Sequence, residues 1–449
     1  MKMPKSNIIL AYTLKKDPLT PLMFVLVSFG YPLTHNYVFP LILILGIIQF
    51  YRALSKKISL LFLLESHFYL LIFSLIFYRS IHTSLLALNL IFYGYNFLRQ
   101  KNRRPQYSLI SEILTVIFFV LIFLNQFFFQ LSFKSIDTYL HLLFYPILFY
   151  FIKVSKSKID VTKSMLFYLL SVFIASISLM FINALEGTLK FNSNTFFAQP
   201  LGLNHVYFGI FLGAAISLIF VLLENKKEFK IKWALSLMIL FLSLIIYIGA
   251  RMALIGIILI TLIFLVKNIK QPTLWKVIFL MFLFVGSLTV SYYNIPRAKA
   301  GIYDISKLYE SVTNNNKKDL IQNSWRNMYQ RFLITKYSLQ EIQKNIFFGI
   351  GMQNVTQSLF DKIRKDGYLY FQPINPHNQY LHIWLGMGIF SLLYFLYMLY
   401  SFIKYQPVGF YFTLFFLIIM LSESVLVREK GISLFFLFTL TFLIDKKIA

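Results

Sequence analysis

The stretch Asn375-Pro376-His377-Asn378-Gln379-Tyr380-Leu381 sets an imidazole at the mouth of a long apolar run. Pro376 holds the residue before it extended and is suited to open a helix. The spacing therefore predicts His377 in the first helical turn. A helix N-terminus disfavours the imidazolium, and a neutral imidazole is the form a general base requires. Since an isolated histidine is more often structural, the weight rests on its position and neighbours. His382, about one turn on, is a second candidate for the same cavity. Arg251 heads another apolar run, and guanidinium forks match phosphate oxygens. Its plain reading is a helix-end arginine snorkelling to the interface. Arg326 lies beside Trp325 and Met328. Arg331, further along the same segment, suits a solvated face equally well. Glu423 stands at the end of a late apolar run, able to pair with an arginine. His205 follows Leu203-Asn204, near Tyr207, where it would line the same site. The acidic residues Asp304, Asp319, Asp361 and Asp366 of the long segment at 294–378 are scattered, with no DxD-like cluster, a pattern that agrees weakly with a site without metal or other cofactor. The chain has no cysteine, which excludes disulfides and thiolate metal sites.

The elements that must hold these groups are membrane helices. Hydrophobic residues make up 58% of the 449 positions and charged residues 13%, against about 25% charged in soluble domains. Apolar runs near the ~20 residues needed to cross ~30 Å of hydrocarbon recur along the chain. Fourteen spans are predicted, at roughly 20–34, 36–51, 59–78, 83–98, 108–131, 138–152, 164–184, 205–223, 233–250, 252–266, 277–293, 379–403, 408–424 and 431–444. The net charge of +26 invites a nucleic-acid partner, but its placement excludes one. Of the 43 Lys and Arg, 25 fall in alternate short segments and six in the intervening short ones. That is a positive-inside bias, and it puts both termini in the cytoplasm. The six exceptions are Arg79, Lys134, Lys190, Arg251, Arg428 and Lys430. The long segment at 294–378 falls outside, where long translocated loops escape the charge rule.

A loop of this length is usually functional. Trp325, Met328, Phe332, Leu333 and Ile342 fall on one face at helical spacing, capped by Asn323 or Ser324, and predict an amphipathic helix on the membrane-facing side of the loop. Gly349 and Gly351 break the pattern.

Four pieces in order resemble the O-antigen ligase and polymerase superfamily. Pro376-His377-Asn378-Gln379-Tyr380-Leu381 with Gly386 and Gly388 is similar to its PHN signature. Gly249-Ala250-Arg251-Met252-Ala253 resembles its short arginine motif at the outer end of a span. Trp325-Arg326-Asn327-Met328-Tyr329, followed by Asn345-Ile346-Phe347-Phe348-Gly349-Ile350-Gly351, resembles the stretch before the signature. Ser422-Glu423-Ser424 with Arg428 and Gly431-Ile432 resembles the tail. The pieces span roughly 200–440. Ala250, Tyr329, Ile346 and Gly386 depart from the commonest residues, Gly386 standing where many relatives have Glu. The histidine and both arginines are retained.

The resemblance implies an all-α, polytopic, GT-C-like bundle of about 12–14 spans, with N-terminal helices at 1–199 and a ligase-like core at 200–445 that includes the outer loop 294–378. It implies an inner-membrane enzyme that moves a glycan from an undecaprenyl-diphosphate donor to an acceptor hydroxyl on the lipid A–core or on another lipid-linked glycan. It would work by single, inverting, metal-independent displacement. His377 would take the hydroxyl proton, and Arg251 and Arg326 would stabilise the diphosphate. His205, Asn378, Tyr380, Arg331 and Glu423 would line the substrates. Membrane lipids are the other partners expected. A ligase is favoured, a repeat-unit polymerase is its near alternative, and protein O-glycosylation shares the motifs. A lipid-linked sugar flippase is the competing class, but it calls for repeated halves and midplane charges, and the polar groups here gather at one edge.

Overall fold

The computed structural model of the chain describes residues 17–29, 35–100, 105, 108–130, 136–155, 157–188, 197–224, 230–267, 296–314, 321, 327–368 and 375–444. Among these residues no strand occurs. The helices are α1 (Leu19–Phe29), α2 (His35–Leu54), α3 (Leu60–Ser74), α4 (Arg79–Arg99), α5 (Ile110–Gln130), the one-turn α6 (Ile136–Tyr139), α7 (His141–Val154), α8 (Val161–Leu185), α9 (His205–Glu224), α10 (Ile231–Tyr247), α11 (Arg251–Lys267), α12 (Pro296–Thr313), α13 (Asn327–Lys344), α14 (Asn354–Lys365), α15 (Gln379–Tyr405), α16 (Phe410–Met420) and α17 (Glu429–Phe442). Each predicted span within these residues meets a helix. The span predicted at 277–293, together with Asn323, Ser324, Trp325 and Arg326, lies outside the described residues.

Helices α5, α8, α9 and α15 are long and apolar enough to cross a membrane, and α1, α2, α3, α10 and α16 contain shorter apolar stretches. Large apolar side chains such as Ile113, Phe128, Leu170 and Phe181 stand exposed on the outer helices. Water would penalise such a surface, whereas lipid is the solvent it suits. The chain is an all-α, multi-pass membrane protein.

Helix α9 is the hub, with 89% of its apolar window buried. Its sequence explains this. Gly209 and Gly213 form a small-xxx-small stripe that lets backbones approach. A Cβ on Gly209 would lie 2.3 Å from that of Ala250, and one on Gly213 would lie 2.3 Å from Phe415 Cζ. Helix directions follow from the end contacts. Lys267 pairs with Glu224 at 2.6 Å and sits 5.6 Å from the Phe410 ring. At the other end Gly209 meets Ala250, and Gly256 faces Ile419. Thus α9 and α11 start, and α16 ends, at one common edge, which carries His205, Arg251 and the Leu421–Glu423 turn.

Helix α15 is broken at Gly388, whose φ of 81° and ψ of 176° only glycine adopts readily. A break frees backbone groups, and buried ones must find partners. The stretch Ile346–Gly351 supplies them. Ile350 N–H donates to Leu385 O at 2.8 Å, Gly351 N–H to Gly386 O at 2.9 Å, and Ile389 N–H to Ile346 O at 2.9 Å. Asn125 of α5 closes the join: its Nδ2 donates to Gly386 O at 3.0 Å, and its Oδ1 accepts from Met352 N–H at 3.0 Å. Gly386 must be small as well, because a Cβ there would lie 3.0 Å from Met352 Cα and 2.7 Å from its Sδ.

Helices α13 and α14 share a second, smaller core. Val355, Leu359 and Ile363 recur every four residues on α14 and bury against Leu333, Ile334, Tyr337 and Ile342 of α13, with Leu385 of α15 completing the cluster. Leu333 and Ile342 of the predicted apolar face are therefore taken up by α14 and α15.

Candidate functional site

The site is assembled where the α13 helix, the entry to α15 and the turn after α16 meet. Its first feature corrects the expectation for His377. Helix α15 begins at Gln379, and Asn378 is its cap, extended at φ −154° with its side chain accepting from Leu381 N–H at 2.9 Å. Asparagine caps strongly, and that shifts the helix start two residues past Pro376's successor. His377 lies just outside the helix with φ +49°. This left-handed conformation is uncommon for non-glycine residues, although histidine is among those that tolerate it. It is held there by Asn375, whose Oδ1 accepts from His377 N–H at 3.0 Å. Held strain of this kind clusters at functional sites.

The imidazole points at a carboxylate. His377 Nδ1 lies 3.0 Å from Glu423 Oε2. The other oxygen, Oε1, takes Arg331 Nη2 at 2.7 Å, and Arg331 Nη1 donates to Ser422 O at 3.2 Å. The Glu423 side chain is 9% exposed and that of His377 24%, so the carboxylate is covered and the imidazole remains open on one side. Burial alone would raise the Glu423 carboxyl. The hydrogen bond from His377 and the positive charges of His377 and Arg331 outweigh it and hold the group below its ordinary value. An ionised carboxylate only accepts, so Nδ1 is the donor in this pair, and in a neutral imidazole Nε2 is then the acceptor. A carboxylate that orients an imidazole through Nδ1 is the arrangement that acid–base catalysis can use.

Backbone contacts fix the turn that carries Glu423. Asn378 Nδ2 donates to Leu421 O at 2.9 Å, and Gln379 Oε1 accepts from Leu426 N–H at 2.7 Å. Tyr207 OH donates to Val425 O at 3.2 Å. Tyr380 OH donates to Leu417 O at 3.2 Å. Asn378 and Tyr380 thus hold α15 to α16.

Arg251 is the first residue of α11, exposed, following Gly249 at φ +68°. Ala250 is buried against Gly209, which accounts for a small residue at that place in the motif. His205 heads α9, half-buried, behind Asn204, whose Oδ1 accepts from Tyr207 N–H at 2.8 Å. Arg326 lies outside the described residues. His382 is buried in the first half of α15. Among the described residues no group of three or more His, Asp or Glu is arranged to hold a metal ion.

One participant escaped the sequence reading. Asn125 had one available signal, an amide inside an otherwise apolar run. Arg331 was legible as an arginine near the site, but nothing in its spacing marked it as the partner of Glu423, 92 residues away.

These features define a polytopic membrane protein whose polar groups converge at one edge around a carboxylate-oriented histidine. Residues 235–396 match the O-antigen ligase family model, a stretch of the chain similar to a ligase-like superfamily of glycosyl-transferring proteins. The match takes in most of α10, all of α11 to α14, His377 and the first part of α15, while Glu423 lies beyond it. No curated protein matches the chain.

Proposed function

We propose that this protein is a metal-independent, inverting glycosyltransferase. It moves a glycan from undecaprenyl diphosphate to an acceptor hydroxyl at the outer face of the bacterial inner membrane, with the lipid A–core as acceptor. The His377–Glu423 pair carries this reading, in a chain that matches the O-antigen ligase family model over residues 235–396. Both termini lie in the cytoplasm on this reading, following the charge bias of the loops. Residues 200–445 form the core. The contact of Tyr207 with Val425 joins its two ends, and that of Arg331 with Glu423 ties its middle to its end.

The mechanism runs through His377 Nε2. It accepts the proton of the acceptor hydroxyl while that oxygen bonds to the anomeric carbon and the bond from that carbon to the diphosphate oxygen breaks. The proton ends on the imidazole, where the Glu423 carboxylate stabilises the imidazolium. The electron pair leaves with the diphosphate. Arg251 and Arg326 neutralise that leaving group, as preorganised cations do for developing charge. One displacement inverts the anomeric centre.

The test is a glycan gel from a deletion strain complemented with wild type, His377→Ala or Arg251→Ala, with membrane levels checked. Wild type restores the ladder, and both variants leave the lipid-linked donor unconsumed. A normal ladder from well-expressed His377→Ala overturns the assignment. Accumulation of long lipid-linked chains marks a ligase, and accumulation of single repeats marks a polymerase.

A further inference from the structure

The residues Arg428-Glu429-Lys430 open α17 at the same edge as the site, and the three charges have different fates. Glu429 is buried and answered. Arg79 forms an ion pair with it, Thr83 Oγ1 donates to it at 2.9 Å, and His141 Nε2 lies 3.2 Å away. Lys430 would be poorly placed in the first turn of a helix. Its ammonium is instead directed at two carbonyls, Leu201 O at 3.3 Å and Ile76 O at 3.5 Å. These contacts leave the backbone at residue 428 little freedom. Arg428 caps α17, with Gly431 N–H and Ile432 N–H donating to its carbonyl at 3.0 and 3.1 Å. A Cβ on Gly431 would lie 2.1 Å from Val425 O, so only glycine allows the helix to seat so closely on the Glu423–Val427 turn.

The Arg428 side chain is exposed and makes no ion pair with any described residue. Its guanidinium lies over the Tyr207 ring, 4.9 Å from the centroid. Arginine stacks on aromatic faces while its donors stay available at the rim. The ring is itself anchored, through its hydroxyl, to Val425 O. Arg428 is therefore a preorganised cation on the rim that also carries His205, Arg251 and Glu423, and it is kept there against the charge bias of the short loops. Arg331 is already engaged by the Glu423 carboxylate and cannot meet a second anion with the same fork.

The geometry points to Arg428, platformed on Tyr207, as a binding residue for the diphosphate of a polyprenyl-linked donor. The inference rests on the transferase reading above and adds to it the group that receives the leaving diphosphate on the α17 side. A diphosphate offers several anionic oxygens, and a planar fork engages two of them.

The experiment measures binding of geranylgeranyl diphosphate, geranylgeraniol and dioleoylphosphatidylglycerol to the purified full chain in detergent, for wild type, Arg428→Gln, Arg428→Lys and Tyr207→Phe. Wild type prefers the diphosphate to the alcohol. Arg428→Gln weakens diphosphate binding about tenfold, the loss of one charge-assisted contact, and leaves the alcohol unchanged. Arg428→Lys falls between, and Tyr207→Phe, which keeps the ring, binds the diphosphate as wild type does. Equal diphosphate affinity for wild type and Arg428→Gln overturns the role of Arg428 alone. Should Arg428→Gln not fold, equal affinity for wild type and Arg428→Lys overturns it in the same way. An equal Arg428 dependence for phosphatidylglycerol shows a general lipid-phosphate contact and overturns the diphosphate assignment. No preference for the diphosphate in wild type overturns both this inference and the transferase reading.

Discussion

Oε2 of Glu423 faces Nδ1 of His377 at 3.0 Å, while Oε1 of the same carboxylate faces Arg331 at 2.7 Å. One buried anion thus serves two cationic or cation-forming groups from separate parts of the chain. It fixes the orientation of the imidazole through Nδ1.

Replacing His377 with Asn separates conformation from chemistry. Asparagine accepts positive φ readily, so the entry to α15 is retained, while the base is lost. Transfer should fall roughly a hundred- to ten-thousand-fold with membrane levels unchanged. Glu423→Gln keeps an acceptor for Nδ1 but removes the charge, and its loss should be smaller. A ladder of normal intensity from His377→Asn would falsify the base assignment.

The Glu423 carboxyl is held below its ordinary value of 4.5. As pH falls, the unfolded chain takes up this proton before the folded one does. The stabilisation is therefore fully present above about 4.5 and is lost as pH drops through the lower folded value. Arg331→Gln removes one of the charges that lower it, so the acid limb of the thermal-stability profile should move to higher pH. An acid limb that coincides with that of wild type would rule out Arg331 as a cause.

Gly388→Ala should be severely destabilising. Its φ is +81°, and the added Cβ would lie 1.9 Å from Phe347 O, a backbone atom that cannot rotate away. Gly94→Ala is the control, since its Cβ would meet nothing nearer than Phe151 Cε2 at 3.4 Å. Thermal unfolding in detergent should show a large loss for the first and little change for the second. Equal stability of the pair would mean that the break in α15 is not held as described.

Asn125→Leu removes the donor to Gly386 O and the acceptor of Met352 N–H. Each buried group left alone costs about 1–3 kcal/mol. The unfolding midpoint should drop by several degrees, and Asn125→Gln should not restore it, because the longer amide cannot meet both groups from the same backbone position.

The helices were legible because length and apolarity alone report a span in lipid, and charge in the short loops orders the ends. The histidine and its neighbours were legible through residue types that share one segment. What stayed hidden depends on partners distant in sequence. Glu423 was readable as able to pair with an arginine, but its simultaneous contact with His377 required the fold. The helix start was misjudged because Pro376 and Asn378 both signal one, and the asparagine's side-chain hydrogen bond to Leu381 N–H prevailed. The glycines at 386 and 388 were visible as residues, yet the broken helix they permit depends on donors supplied from Ile350 and Gly351.

That break constrains the order in which the protein is made. Residues 346–351 leave the ribosome before α15 does, so their backbone groups emerge with no partner yet synthesised. They lodge only once both halves of α15 and Asn125 of α5 are in place. Maturation of the segment before α15 is thereby tied to completion of a later helix, and a chain truncated before Gln379 should carry a segment that cannot finish folding. The same dependence ensures that the edge bearing His377 does not form ahead of the helix bundle that supports it.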